Sequence, residues 1–238
     1  MEDTLTIIIP IYNEEENLHQ LYDALTSYIK QSSIVTSILF INDGSTDESL
    51  QILESYCRLQ TNFNFISFSK NAGLSAALKA GFECADSTLV GYIDADLQTD
   101  PKDFDLLLEH IKEHALVTGI RSNRRDSLGK RLSSTLANKF RRMFTKDGMD
   151  DTGCPLKIIR TDYAKRIPMF KGLHRFLPAM ILLQHGSVKQ IPVQHFPRFA
   201  GTSKFGFWNR TIGPFTDCFA YLWMKRRYIR YDISKTDL

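Results

Sequence analysis

Residues 89–98 (LVGYIDADLQ) place an apolar run directly before two carboxylates, Asp94 and Asp96. The length and composition of the run predict a buried strand, so the acidic pair would stand where a strand ends. Two carboxylates one residue apart can converge on one hard divalent cation, and Gln98 can add a carbonyl oxygen. A cation held by so few protein ligands typically also binds substrate phosphates. A D-x-D pair is common by chance, and its position after a predicted strand is what favours a metal site.

Apolar runs that end in polar residues recur through the first half of the chain. Strands are predicted at 5–9, 38–41, 63–68, 89–93 and 115–118, and helices at 17–29, 47–59, 74–84 and from Pro101. This alternation predicts an α/β fold, a mostly parallel sheet with helices on both faces. Such sheets bind ligands beyond the carboxyl ends of their strands, so the polar residues at those ends form the candidate site. They are Tyr12, Asn13, Glu14, Asn42, Asp43, Asp94, Asp96 and Arg121.

The second half of the chain has a less regular pattern. It predicts a basic helix at about 127–145, a strand at 156–159, a helix at about 175–184, a strand at 187–193 and a C-terminal helix. No internal repeat or long linker separates these elements from the first half. We therefore expect the second half to complete the same domain.

The polar stretch 42–47 (NDGSTD) follows a predicted strand and has the composition of a turn. Ser45 or Thr46 is predicted to cap the helix that comes next. Asp43 would lie where a nucleotide base or ribose crosses the edge of the sheet.

Composition limits the class of protein. With 238 residues, 43% hydrophobic and 24% charged, the chain suits one α/β domain or a domain with a short appendage. A net charge of +3 is too small to predict nucleic-acid binding. Four widely separated cysteines match neither a disulfide framework nor a zinc site and are typical of a reducing cytosol. No signal peptide is expected, and no stretch approaches the roughly 18–20 apolar residues of a membrane span.

Positive charge is concentrated in two segments. Eight basic residues and one acid lie between Arg121 and Arg142, and 225–230 (KRRYIR) forms a second cluster. Each cluster can be a solvated helix face, or it can bind phosphates or an acidic membrane surface. The C-terminal helix, with aromatic residues ahead of its basic cluster, is predicted to rest on a membrane. The alternatives are that it packs on the domain or forms a homo-oligomer interface.

Five short blocks follow one another along the chain: 10–14 (PIYNE), 42–45 (NDGS), 71–77 (NAGLSAA), 94–98 (DADLQ) and 198–204 (RFAGTSK). Together they resemble glycosyltransferase family two, specifically its dolichol-phosphate mannose synthase-like branch of polyprenyl-phosphate glycosyltransferases. Any one block is weak, but five in order are specific and span most of the chain. The resemblance implies a GT-A nucleotide-diphospho-sugar transferase fold over 1–208, followed by an amphipathic, basic helical tail over 209–238.

The resemblance also implies roles for individual residues. The nucleoside would be surrounded by Pro10, Tyr12, Asn13, Glu14, Ile41 and Asp43. The ribose, diphosphate and metal would lie at Asp94, Ala95 and Asp96, with Asp96 and Gln98 as direct ligands of Mg²⁺ or Mn²⁺. The phosphate groups of donor or acceptor would be met by Arg121, Arg131, Arg198 and Lys204.

The implied reaction is an inverting displacement at the anomeric carbon of a GDP- or UDP-sugar by a polyprenyl or dolichyl phosphate. The metal would neutralise charge on the departing nucleoside diphosphate, helped by Arg198 and Lys204. Arg121 and Arg131 would meet the lipid headgroup. The predicted catalytic residues are Asp94, Asp96, Arg121 and Arg198. The expected location is peripheral, at the cytoplasmic face of an anionic membrane, with no nucleic-acid partner.

Two other functions stay open. Transfer to a sugar hydroxyl of a glycan or glycolipid needs a general base, for which Asp151 is the unassigned acid in a suitable place. A regulatory domain could bind sugar nucleotide without turnover, although the intact Asp94, Asp96 and Gln98 speak against it. His174, beside Arg175, is predicted to be a structural histidine.

Overall fold

The structure is a computed structural model that describes residues 2–121, 140–197, 207–229 and 235, without the side chains of 207–214. Its strands are β1 (Thr4–Ile11), β2 (Val35–Asn42), β3 (Phe63–Ser67), β4 (Leu89–Tyr92), β5 (Leu116–Arg121), β6 (Lys157–Arg160) and β7 (Val188–Val193). Its helices are α1 (Glu15–Gln31), α2 (Ser49–Leu59), α3 (Leu74–Cys84), α4 (Phe104–Ile111), α5 (140–145), α6 (Thr161–Lys165), α7 (Leu177–Leu183) and α8 (Phe207–Arg227). Short 3-10 turns lie at Pro101–Asp103 and Leu173–Phe176.

The described strands form one sheet in the order β3-β2-β1-β4-β6-β5-β7. All neighbours pair in parallel except β6, which runs antiparallel to both β4 and β5. The predicted mostly parallel sheet is therefore confirmed. Because β6 is reversed, its first residue lies at the same edge as the last residues of β4 and β5.

Helices cover both faces of the sheet, as predicted. Ile7 and Ile9 pack in the core beneath α1, α2 and α4, whereas Ile8 packs beneath α3, α6, α7 and α8. All three side chains are fully buried. A strand buried on both faces needs apolar residues at every position, which is why β1 reads as a continuous apolar run.

Several predicted boundaries differ from the structure. The segment 47–59 becomes helical only at Ser49, and 89–93 ends as a strand at Tyr92. The strand at 115–118 extends to Arg121, which makes that arginine the last residue of β5. The predicted basic helix at 127–145 lies largely outside the described residues, of which 140–145 are helical. The short helix α6 was not predicted.

The C-terminal helix α8 packs on the domain along one face. Tyr221 stacks on Phe176 with ring centroids 5.5 Å apart, and Arg175 pairs with Asp217 at 3.3 Å. The predicted boundary between a domain over 1–208 and a tail over 209–238 falls inside α8 and stays a prediction. Within the described ranges, no helix has the length and apolar content that crossing a membrane requires.

Candidate functional site

The carboxyl ends of β1, β2, β4 and β5 bring the predicted site residues to one edge of the sheet. Ile11 of β1 is in register with Asn42 of β2, and Ile8 is in register with Tyr92 of β4. The loops that follow these strands therefore lie side by side. Pro10 and Tyr12 are half-buried here, whereas Ile41 is fully buried and supports the loops from below.

The loops after β1 and β2 are bonded to each other. The backbone N–H of Asn13 donates to Ser45 Oγ at 3.0 Å, and the N–H of Thr46 donates to Asn13 Oδ1 at 2.8 Å. The N–H of Glu14 donates to Ser49 Oγ at 2.9 Å. The prediction that Ser45 or Thr46 caps α2 was wrong, since Glu48 precedes that helix without a side-chain cap. Ser45 instead satisfies a donor of the neighbouring loop.

Asp43 is 5% exposed and is tied to the block 71–77. Its carboxylate accepts hydrogen bonds from Ala72 N at 2.7 Å, Gly73 N at 2.8 Å and Asn71 Nδ2 at 3.0 Å. Two blocks about 30 residues apart are thus fixed by one buried charge. Asp43 therefore fixes the position of the 71–73 loop beside the predicted nucleoside site.

Gly44 explains why these two blocks can approach so closely. Its φ of +67° lies in the left-handed region, and a Cβ there would stand 2.5 Å from the backbone carbon of Lys70. Only glycine fits both conditions.

The segment of Asp94, Ala95 and Asp96 forms a tight turn after β4. Asp94 is half-buried, and its Oδ1 accepts a 2.6 Å hydrogen bond from the Tyr92 hydroxyl. Asp96 is 7% exposed, and its Oδ1 accepts from the N–H of Gln98 at 3.1 Å. Leu97, which lies between Asp96 and Gln98, has a φ of 56°, a strained value for a branched side chain. This turn brings the backbone N–H of Gln98 back to Asp96, while the side-chain Nε2 of Gln98 lies 3.5 Å from the carbonyl oxygen of Phe196.

The chemistry of this donor set fits a hard divalent cation. Asp94, Asp96 and Gln98 offer carboxylate and amide oxygens, which Mg²⁺ and Mn²⁺ prefer. Within the described part of the chain, no group of three or more His, Cys, Asp or Glu side chains is placed to hold a metal. Mg²⁺ bound by one or two carboxylates usually keeps water and substrate phosphate oxygens as its other ligands.

Arg121 and Asp151 form a bidentate ion pair at the end of β5. Arg121 Nε lies 2.7 Å from Oδ2 of Asp151, and its Nη2 lies 2.9 Å from Oδ1. The side chains are only 16% and 8% exposed. Gly153 N also donates to Asp151 Oδ1 at 3.1 Å. Both carboxylate oxygens of Asp151 therefore accept charge-assisted or backbone bonds, which fix the orientation of the carboxylate.

Two polar residues beneath the acidic turn were not found by sequence reasoning. Tyr92 is 5% exposed, and burial, with the neighbouring Asp94, raises the pKa of its hydroxyl. Lys157, 1% exposed, is in register with it on β6, and burial lowers the pKa of its amine. The sequence signal that could have identified Lys157 is a lysine inside the otherwise apolar predicted strand at 156–159.

His174 joins the 3-10 turn Leu173–Phe176 to α3. Its Nδ1 lies 2.8 Å from Ser75 Oγ, which also accepts from Gly172 N at 3.0 Å. Burial lowers the pKa of His174 to about 3, with Arg175 and Lys157 contributing, so the ring is neutral at physiological pH. Arg131, Arg198 and Lys204 lie outside the described residues.

Similarity to known proteins assigns the family. The chain matches Glycosyl transferase family 2 over residues 6–167. It is 29% identical over 228 residues to dodecaprenyl-phosphate galacturonate synthase of Rhizobium johnstonii, covering 93% of this chain and 67% of the relative. It is 31% identical over 205 residues to undecaprenyl-phosphate 4-deoxy-4-formamido-L-arabinose transferase of Pectobacterium carotovorum, covering 85% and 63%. The chain thus spans about two thirds of the length of these relatives.

Solved structures agree on the fold. Glucosyl-3-phosphoglycerate synthase from Mycobacterium tuberculosis with phosphoglyceric acid matches with a TM-score of 0.73 at 13% identity, over 96% of this chain and 81% of that one. The same enzyme with Mn²⁺, UDP and glucosyl-3-phosphoglycerate matches with a TM-score of 0.69 at 13% identity, over 94% and 78%. These likenesses confirm the GT-A fold. Because the family match spans more than half of its residues, the chain belongs to glycosyl transferase family 2.

Proposed function

We propose that the chain is a metal-dependent, inverting glycosyltransferase that moves a sugar from a nucleotide-diphospho-sugar to a polyprenyl phosphate. The observation that carries this proposal is the acidic turn of Asp94 and Asp96 at the same sheet edge as the Arg121–Asp151 pair. The two relatives compared above are named for transfer to, or synthesis on, a polyprenyl phosphate. A UDP-sugar is the favoured donor, because the structural neighbour binds UDP with Mn²⁺.

The donor would lie across the loops after β1, β2 and β4. Asn13 bonds the loop after β1 to the loop after β2, and Asp43 bonds the loop after β2 to residues 71–73. Asp94, Asp96 and Gln98 would hold Mg²⁺ or Mn²⁺ against the diphosphate. When bound, the cation supplies charge neutralisation for the leaving nucleoside diphosphate. The tight turn at Leu97 keeps these ligands preorganised, so little reorganisation is needed during transfer.

The acceptor phosphate would meet Arg121. Its guanidinium has five N–H donors, and the bond to Asp151 fixes its plane at the end of β5. A phosphate monoester is largely a dianion at neutral pH and needs no base to become a nucleophile. The chain's residues therefore need to orient and screen two anions rather than remove a proton.

A direct product assay tests this proposal. Radiolabelled UDP-sugars, including UDP-galacturonate and UDP-4-deoxy-4-formamido-L-arabinose, are incubated with undecaprenyl phosphate in detergent and Mn²⁺. We expect one of them to give an organic-soluble glycosyl phosphate of inverted anomeric configuration. Transfer to sugar hydroxyls alone, or donor hydrolysis that lipid phosphate does not change, would contradict the proposed acceptor.

The exposed aromatic side of α8, which also contacts α5 of the domain, is proposed to rest on a membrane. Phe215, Phe219 and Trp223 are 48%, 52% and 69% exposed, and the exposed basic residues Lys225, Arg226 and Arg227 follow them. Phe140 stacks on Phe215 at 4.6 Å, which extends this aromatic surface onto α5. Exposed aromatic side chains followed by a basic segment are typical of an interfacial helix.

Sedimentation with liposomes checks this surface. We expect the protein to pellet with anionic vesicles and to be released by high salt, because the salt screens surface charge. Trp223→Ser with Phe219→Ser should weaken pelleting, and Leu59→Ser, which changes a residue 71% exposed on α2, should not. Point changes are preferable to truncation because Cys218 and Tyr221 of α8 are buried. Equal pelleting with neutral and anionic vesicles at every salt concentration would argue against the membrane surface.

A further inference from the structure

Tyr92 stands directly beneath the acidic turn. It is the last residue of β4 and precedes Asp94 by two positions, the spacing that puts side chains on one face of an extended chain. Its hydroxyl donates to Asp94 Oδ1 at 2.6 Å, the short distance expected when a hydroxyl bonds to a carboxylate. A protein group thus holds one oxygen of a predicted metal-site carboxylate.

The ring that carries this hydroxyl is held from below. Tyr92 is in register with Lys157 of β6, and the Lys157 amine lies 5.7 Å from the ring centroid. That amine also donates to the backbone carbonyl of Cys154, so its own position is fixed. Both side chains are at most 5% exposed. The sheet therefore sets where the Tyr92 hydroxyl points, and the hydroxyl constrains Asp94.

We propose that Tyr92 is a positioning residue for the divalent cation, acting through Asp94. Its hydroxyl occupies one carboxylate oxygen of Asp94 and so orients the carboxylate toward the cation and the donor diphosphate. Groups that hydrogen-bond to metal ligands in this way typically change metal affinity by about 10- to 100-fold when removed. The inference rests on the proposed metal-dependent transfer and adds a residue outside the five sequence blocks.

The test is Tyr92→Phe, which removes one buried oxygen and keeps the ring. Mn²⁺ binding is followed by the electron paramagnetic resonance signal of free Mn²⁺, with UDP at saturation. We expect the Kd for Mn²⁺ to rise about 10- to 100-fold. UDP binding without metal should stay unchanged, and transfer lost at low Mn²⁺ should return at high Mn²⁺. A tyrosine that only supports the fold would not produce this split between metal and nucleotide.

A matched control is available at Tyr28. That residue is 1% exposed and its hydroxyl also donates to an aspartate, Asp105, at 3.3 Å between α1 and α4. Tyr28→Phe should lower stability without changing the Kd for Mn²⁺. Equal Mn²⁺ affinity in wild type and Tyr92→Phe would overturn the inference, as would equal losses in both tyrosine variants or a loss that high Mn²⁺ does not restore. A wild type that takes up no Mn²⁺ with UDP would overturn the proposed metal dependence and this inference together.

Discussion

Replacing Asp96 by asparagine is expected to lower the rate of transfer by about a hundredfold or more, which corresponds to about 2.7 kcal/mol of lost transition-state stabilisation. The asparagine carbonyl can still accept the hydrogen bond that Asp96 Oδ1 takes from Gln98 N. The turn should therefore survive, and the change removes one negative charge from a side chain that is 7% exposed. A preorganised charge in a water-poor site has few substitutes, hence the large effect.

Initial rates across a Mn²⁺ titration, with a chelator at one end, measure this effect. Wild-type activity should vanish in chelator and return with Mg²⁺ or Mn²⁺. Asp100→Asn is the matched control, because Asp100 Oδ1 accepts from Lys102 N in the same kind of turn four residues along the chain. That control should keep its activity. If Asp96→Asn were fully active in chelator, the metal site would be wrongly assigned.

Local patterns in the sequence were sufficient for the first half of the fold. Continuous apolar runs predicted β1, β2, β4 and β5, because strands buried on both faces cannot alternate. Strand β3, at the sheet edge, was predicted although it mixes apolar and polar residues and only Phe63 in it is buried. The acidic turn was placed correctly after β4, since the change from apolar to acidic residues is itself the end of the strand. Helix α2 starts later than predicted because Asp47 and Glu48 bond to Glu15 at the start of α1, a partner that lies outside the local pattern.

Contacts between distant residues could not be predicted in this way. Nothing in residues 157–160 indicates that β6 inserts between β4 and β5 in the reverse direction. The insertion is nevertheless what carries Lys157 to the site edge. The bond between Asp43 and the 71–73 loop and the Arg121–Asp151 pair join residues about 30 positions apart. An apolar-run pattern also ignores polar atoms inside strands, which is why Tyr92 and Lys157 were missed.

The second large effect is expected at Arg121 and separates the two acceptor chemistries. Arg121→Ala should abolish use of lipid phosphate while leaving UDP affinity unchanged, because Arg121 lies at the end of β5, away from the nucleoside loops of β1 and β2. Transfer rates at saturating donor, with UDP binding followed by calorimetry, measure the two properties separately. Loss of UDP binding in this variant would place Arg121 at the donor instead.

Asp151 gives the complementary result. If Asp151 is the general base for a sugar hydroxyl, its removal should lower the rate by about 10²- to 10⁴-fold. If Asp151 instead only holds Arg121 in place, the Asp151→Asn variant should keep about a tenth or more of the rate, since the amide oxygen replaces one of two charge-assisted bonds. Asp150→Asn serves as control, because that neighbouring carboxylate is 62% exposed and pairs with Arg142.

The pH dependence distinguishes the same alternatives without a mutation. A phosphate monoester has a second pKa near 6, so the nucleophilic dianion is depleted as the pH falls through that value. The rate should therefore fall on the acid side with a midpoint set by the acceptor, and a phosphonate of higher pKa should move that midpoint upward. A protein base would instead give a midpoint that stays constant when the acceptor changes. An unmoved midpoint together with an inactive Asp151→Asn that still binds UDP would establish a hydroxyl acceptor, because only that chemistry needs a proton removed by Asp151.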